Sequence, residues 1–178
     1  MSRRAGASRD ARAVRVVRSS VVRAPREQVW ARVVTPDGVA DEFGPLLTMR
    51  FPPALAGASI ADVPTGRPVG RAWILLGGVV PLEFDDLTLL EVSAPRFFRE
   101  RSRLGSCRVW EHHRDLEARP DGTTRVTDTL RAVPRAPLPG PVVRAVVGAL
   151  FTHRHRRLAR WAGGVGGGGI GGGAGGSG

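Results

Sequence analysis

The chain has 178 residues, 42% of them hydrophobic, enough for one domain with a real core. A single cysteine, Cys107, excludes an internal disulfide framework and a cysteine-based zinc site, and no 18-residue apolar run supplies a membrane span. A formal charge of +11 points by itself to nucleic acid or an anionic membrane, but all 27 basic residues are arginine, with no lysine, asparagine or tyrosine. That pattern suggests a GC-rich genome, so part of the arginine load is compositional, and no specific nucleic-acid partner is expected.

Residues 1–12 contain Arg3, Arg4, Arg9 and Arg12 and read as a disordered basic arm. Arg15 and Arg18 break the apolar stretch a secretory signal needs. An arginine-rich, acid-poor segment is also transit-peptide-like; the favoured reading is a short arm on a cytoplasmic protein. "VRVVRSSVV" at 14–22 is β-branched and predicts a strand. "APREQVWARVV" predicts a short helix, with Pro25 in its first turn and Val29, Val33 and Trp30 facing inward. "TPDG" at 35–38 reads as a turn and "VADEF" as a second short helix. "LLTMRF" is strand-like, and the Pro/Gly-rich stretch after it reads as a long loop or irregular edge. "RAWILL", "LEFDDLTLLEV", "RFFRERSRL", "CRVWEHHRDLEA" and "TRVTDTLRAV" then form an antiparallel meander, its last turn set by Asp121-Gly122. Four prolines between 134 and 141 end the run. A long helix follows over 142–161, and Gly163–Gly178 is a disordered glycine-rich tail. Helices at both ends of a strand run predict an α+β fold, a sheet wrapped on a helix.

"VWEHHRDLEARPDGT" at 109–123 contains the kinase-like "HRDL", but kinase chemistry needs the lysine and asparagine that this chain lacks. In a strand, His112 and His113 point to opposite faces and cannot chelate one metal. Neither a metal nor a cofactor is expected. On the outer face, Glu111, Asp115 and Glu117 lie across from Arg125 and Arg131. The inner face has Trp110, Leu116, Val126 and Leu130, with three polar intruders, His112, Arg114 and Asp128. Two registers place Asp128 opposite either His112 or Arg114. The three could form a satisfied internal network or a polar anchor in an apolar cavity. On the terminal helix, Val143, Val147, Leu150, Leu158 and Trp161 form the buried stripe, with Arg154 in its middle. Arg154 could bind Asp128 or Glu100, or face an anionic ligand group. His153 and His155, two apart, point different ways.

The residues resemble the SRPBCC superfamily, which holds START lipid-transfer domains, pollen-allergen-like proteins and polyketide cyclases. "SSVVRAPREQVWARVVTPDGVADEF" looks like its strand-helix entry. Pro95, Phe98, Glu100, Ser102, Gly105, Trp110 and His112, then Gly122-Thr123-Thr124 and Asp128, then Phe151 and Arg154, fall in the pattern of its bacterial ligand-binding members. Arg114, Ser102 and His153 depart from it, standing where those members have histidine, glutamine and tyrosine. The resemblance covers about 13–162 and implies a helix-grip fold: a curved antiparallel sheet around a long C-terminal helix, with two short helices after the first strand and a hydrophobic cavity between sheet and helix.

Three functions compete. The first is binding or carriage of a small hydrophobic molecule, lipid or polyketide-like, with Trp73, Phe84, Phe98, Trp110, His112, Arg114, Asp128, Leu130 and Arg154 as candidate ligand-binding residues. The second is a cyclase, dehydratase or hydrolase, with His112 as acid or base oriented by Asp128, and Arg114 or Arg154 stabilising an enolate. The third is weak contact with an anionic membrane or nucleic acid through the N-terminal arm and Arg144, Arg156, Arg157 and Arg160. Oligomeric state is not readable from these features.

Overall fold

The computed structural model describes residues 13–55 and 57–166. The basic arm expected at 1–12 and the tail from 167 onward lie outside the described residues. Seven strands form one antiparallel sheet in the order β1-β7-β6-β5-β4-β3-β2. They are β1 (Val14–Val22), β2 (Leu47–Arg50), β3 (Pro68–Leu76), β4 (Val80–Ser93), β5 (Phe97–Leu104), β6 (Cys107–Ala118) and β7 (Thr124–Pro134). Two short helices, α1 (Arg26–Val33) and α2 (Pro36–Phe43), follow β1, and a long helix, α3 (Gly140–Gly166), closes the chain. The expected α+β helix-grip fold is what forms: α3 lies along β1 and against α2. Register shifts within the β3–β4, β4–β5 and β6–β7 pairs bend the sheet, as bulges do, so that it curls around α3.

Local chemistry explains the elements that position the site. Period-2 burial along β7 turns Thr124, Val126, Asp128, Leu130 and Ala132 inward. The same alternation turns His112, Arg114 and Leu116 inward on β6, and Asp85, Leu87 and Leu89 on β4. "TPDG" is the start of α2 and not a free turn. Thr35 is its N-cap, Oγ1 accepting from Gly38 N at 3.1 Å, and Pro36 occupies the first turn. Gly38 is required there, because a Cβ would stand 1.8 Å from the Arg32 carbonyl oxygen. Helix α2 thereby turns Val39, Glu42 and Phe43 inward. The presumed loop before β3 contains two 3-10 turns, Pro53–Leu55 and Ile60–Asp62, and buries Leu55 and Ile60.

Among the described residues, one apolar cluster, of Leu104, Cys107 and Ala132, lies within the sheet, and two join the sheet to the helices. The larger joins Val29, Trp30, Val33 and Phe43 to Leu89, Phe98, Leu116, Val126 and Leu158. The smaller packs Val14, Val16 and Leu130 against Val143, Val147 and Phe151. The inward stripe of α3 runs Val143, Val147, Phe151, Arg154, His155, Leu158 and Ala162, while Leu150 and Trp161 are only partly buried. The helix continues through Gly166, past the expected start of the tail at 163.

Candidate functional site

The β6–β7 register puts Arg114 opposite Asp128 and His112 opposite Leu130, which decides between the two hairpin alignments. Arg114 is fully buried. Its Nε and Nη2 donate to the two Asp128 oxygens at 2.8 and 2.7 Å, and its Nη1 and Nη2 donate to the Glu42 oxygens at 2.7 and 3.0 Å. One guanidinium therefore joins the sheet to α2 through two bidentate pairs. Arg154 reaches the same carboxylate from α3, Nε donating to Glu42 Oε2 at 2.9 Å, with its guanidinium against the Phe43 and Phe151 rings. Its partner is thus Glu42, and not Asp128 or Glu100, because α2 delivers a carboxylate directly beneath it.

His112 is held between two carboxylates, with Nε2 2.8 Å from Asp128 Oδ1 and Nδ1 3.0 Å from Glu100 Oε1. Burial disfavours its charged ring, but Asp128 and Glu100 outweigh that and raise its pKa above the usual 6.5. Burial likewise opposes ionisation of Asp128, yet Arg114 and His112 hold it well below the carboxylate range. Arg114 and Arg154 keep Glu42 low in the same way, against its burial. His155 completes the network. Its Nε2 is 2.9 Å from Asp128 Oδ2 and its Nδ1 2.6 Å from Ser20 Oγ.

Above this ionic floor, between α3 and the sheet, lies a cavity of about 360 Å³. Its wall is largely aliphatic and aromatic: Leu87, Phe98, Leu104 and Trp110 from the sheet, Phe43 from α2, Val147 and Phe151 from α3. Exposed Leu82, Leu138, Val142 and Val146 also line it and form an apolar rim. Polar groups enter at few points, among them Glu83, Asp85, Glu100, His112 and Arg154. Glu83 is held by the amides of Phe84, Gly105 and Ser106 at 2.6–3.0 Å. Gly105 permits this approach, since a Cβ would come within 2.7 Å of the Glu83 carboxylate.

A family model described as a domain of unknown function, DUF8410, matches residues 20–162. The chain belongs to this family. No curated protein matches the DUF8410 chain. Its fold recurs in solved structures. Protein CV1439 from Chromobacterium violaceum aligns over 83% of this chain and 96% of its own, at 15% identity and a TM-score of 0.66. A START superfamily protein from Mycobacterium smegmatis aligns over 85% and 98%, at 12% identity and 0.63. DynU16, from the dynemicin biosynthetic locus, aligns over 84% of this chain and 46% of its own, at 22% identity and 0.53. These likenesses bear out the SRPBCC resemblance at the level of the fold.

The candidate residues of the DUF8410 chain separate into three places. Phe98, Trp110, His112 and Arg154 line the cavity. Arg114 and Asp128 lie beneath it, wholly inside the ionic network, and Leu130 packs in the smaller core cluster. Trp73 and Phe84 do not line it. They pair across β3 and β4 on the outer face, where Arg71 covers both rings. The reason is strand parity: Ala72 and Asp85 hold the buried positions beside them. His113 points away from His112 and meets Phe97 edge-to-face. Arg157 is not a free surface charge, because it bonds both the side chain and the carbonyl of Asp41. Arg144, Arg156 and Arg160 are exposed on the outer side of α3.

Sequence reasoning passed over Glu42, Asp85 and His155. Glu42 carried one available signal, its place beside Phe43 on the inward face of an amphipathic turn. Asp85 carried another, its period-2 spacing with Leu87 and Leu89. His155 carried a third, its place four residues after Phe151 and three before Leu158, which puts it on the inward stripe of the terminal helix and apart from the exposed Arg156 and Arg160.

Proposed function

We propose that the protein binds and carries a small, largely hydrophobic molecule, lipid or polyketide-like, in the cavity between α3 and the sheet. One observation carries this reading: a cavity of about 360 Å³ with an apolar wall and an exposed apolar rim opens beside a few fixed polar groups, the anatomy of a small-molecule site. The shared fold with a START superfamily protein and with a protein from a biosynthetic locus supports it. No helix among the described residues is long and apolar enough to cross a membrane, and a cytoplasmic setting is part of the proposal.

The geometry favours carriage over the cyclase-type mechanism. Both His112 nitrogens face carboxylates, so the ring has no free lone pair with which to act as a base. Four of the five Arg114 N–H donors are spent on Asp128 and Glu42, and the guanidinium is fully buried beneath the cavity and does not line it, so it does not meet an enolate there. Native mass spectrometry of freshly purified protein, with solvent extraction, tests the reading. A discrete added mass is expected, reduced by Val146→Trp at the rim. Protein that is empty and also fails to take up a neutral apolar dye such as Nile red would refute it.

A further inference from the structure

Every ionised group in the polar floor has a counterpart except one. Arg114, Arg154 and His112 stand against Glu42, Asp128 and Glu100, all in direct contact. Glu83 has its three amides. Asp85 has neither a cation nor a backbone amide in contact with it, only the Ser102 hydroxyl nearby. It is 7% exposed, lines the cavity between Leu87 and Leu104, and its Oδ1 makes no hydrogen bond. The charged groups sharing the cavity with it are Glu83 from its own strand, Glu100 from β5, His112 from β6 and Arg154 from α3; both His112 nitrogens face other carboxylates, and Arg154 is paired with Glu42 through Nε. A buried acceptor without a donor costs free energy, which a ligand can recover by supplying the donor.

We propose that Asp85 is the specificity-determining residue of the cavity, and that it selects amphiphiles whose polar group donates hydrogen bonds, a protonated amine first and an alcohol second, over carboxylates. This rests on the carrier reading and reverses the expectation that Arg154 anchors an anionic ligand. Burial and the Glu100 charge push the Asp85 pKa up to about 7, against opposing pulls from Ser102 and His112. At pH 8 the group is therefore mostly ionised and accepts from either donor, while Asp85 and Glu100 together repel a carboxylate.

The test is displacement of Nile red from the full chain at pH 8 by decylamine, decanol and decanoate. The expected order is amine, alcohol, carboxylate, with at least about tenfold between the ends, the scale of one charge-assisted hydrogen bond. Asp85→Asn should lower decylamine affinity about tenfold and leave decanol within about threefold, since an acceptor oxygen remains. Asp85→Leu should weaken both donors and leave decanoate unchanged or tighter. Decanoate binding as tightly as decylamine to the wild type overturns the inference while the carrier reading stands, and so does an order that survives Asp85→Leu. Nile red that never enters, or that none of the three displaces, overturns the carrier reading and this inference with it.

Discussion

Asp85 and His112 are opposite answers to the same burial. Asp85 has no cation in contact with it, so burial and the Glu100 charge outweigh Ser102 and His112 and its pKa rises from 3.8 to about 7, a cost of up to about 4 kcal/mol once it is ionised. The sign follows from proton counts. Between those two values the folded chain holds a proton that the unfolded chain has released, so stability falls as pH rises through that window and the whole cost is present above pH 7. Asp85→Asn should therefore stabilise the ligand-free protein, and its advantage in urea denaturation should grow by about 3 kcal/mol between pH 5 and pH 8. An advantage independent of pH would mean that Asp85 is ionised and solvated at pH 5. His112 has two carboxylates, so its charged form wins. Its contribution is complete below the ordinary 6.5 and is lost as pH rises through the higher folded value. Long-range ¹⁵N–¹H spectra at pH 6 should show both ring nitrogens protonated; a single neutral tautomer there would contradict the geometry.

At the scale of elements, Glu42 is the side chain that fastens α2 to the sheet and to α3, through Arg114 and Arg154. Replacing both partners of a buried pair by apolar groups can be harmless, but removing one leaves the other charge buried and unpaired. Glu42→Gln should accordingly cost about 3–5 kcal/mol and speed amide exchange in α2 more than in the middle of α3. A loss under about 1 kcal/mol would show that water or a shifted Asp128 replaces the carboxylate. The same element shows where the sequence can be read and where it cannot. The order of strands and helices, the β6–β7 face pattern and the inward Arg154 were legible, because they depend on local periods of 2 and 3.6, and the resemblance to the SRPBCC superfamily implied the helix-grip arrangement. The partner of Arg154 was not, because Glu42 lies 112 positions away in the chain and only the packing of α2 on α3 joins them. Trp73 and Phe84 were misplaced because aromatic character marks a burial preference without fixing strand parity, and the bulges between Pro68 and Gly70 and between Ile74 and Leu75 break the count along β3. Thr35-Pro36-Asp37-Gly38 has the composition of a turn and of a helix start alike, and the N-cap bond decided the matter.

For the molecule as a whole, the question is whether its charge of +11 or its cavity governs what it meets. Much of the arginine in the described residues is paired: Arg71 with Asp86, Arg101 and Arg131 with Glu111, Arg125 with Glu117, Arg157 with Asp41. Such surface pairs contribute little stability, about 0–1 kcal/mol each, but they offset part of the basic charge, while Arg144, Arg156 and Arg160 stand exposed on α3. The two modes respond differently to salt. Contact between these exposed arginines and vesicles of anionic lipid should weaken steeply as salt rises, because each charge is screened over about 8–10 Å. A neutral amphiphile in the cavity has no such dependence. Decanol at 100 times its dissociation constant should add about 2.7 kcal/mol, and about 2–4 °C of melting temperature per kcal/mol for a chain of this size. That shift should persist from 50 to 500 mM salt. A shift that disappears over the same range would place the ligand on the arginine surface and take the cavity out of the account.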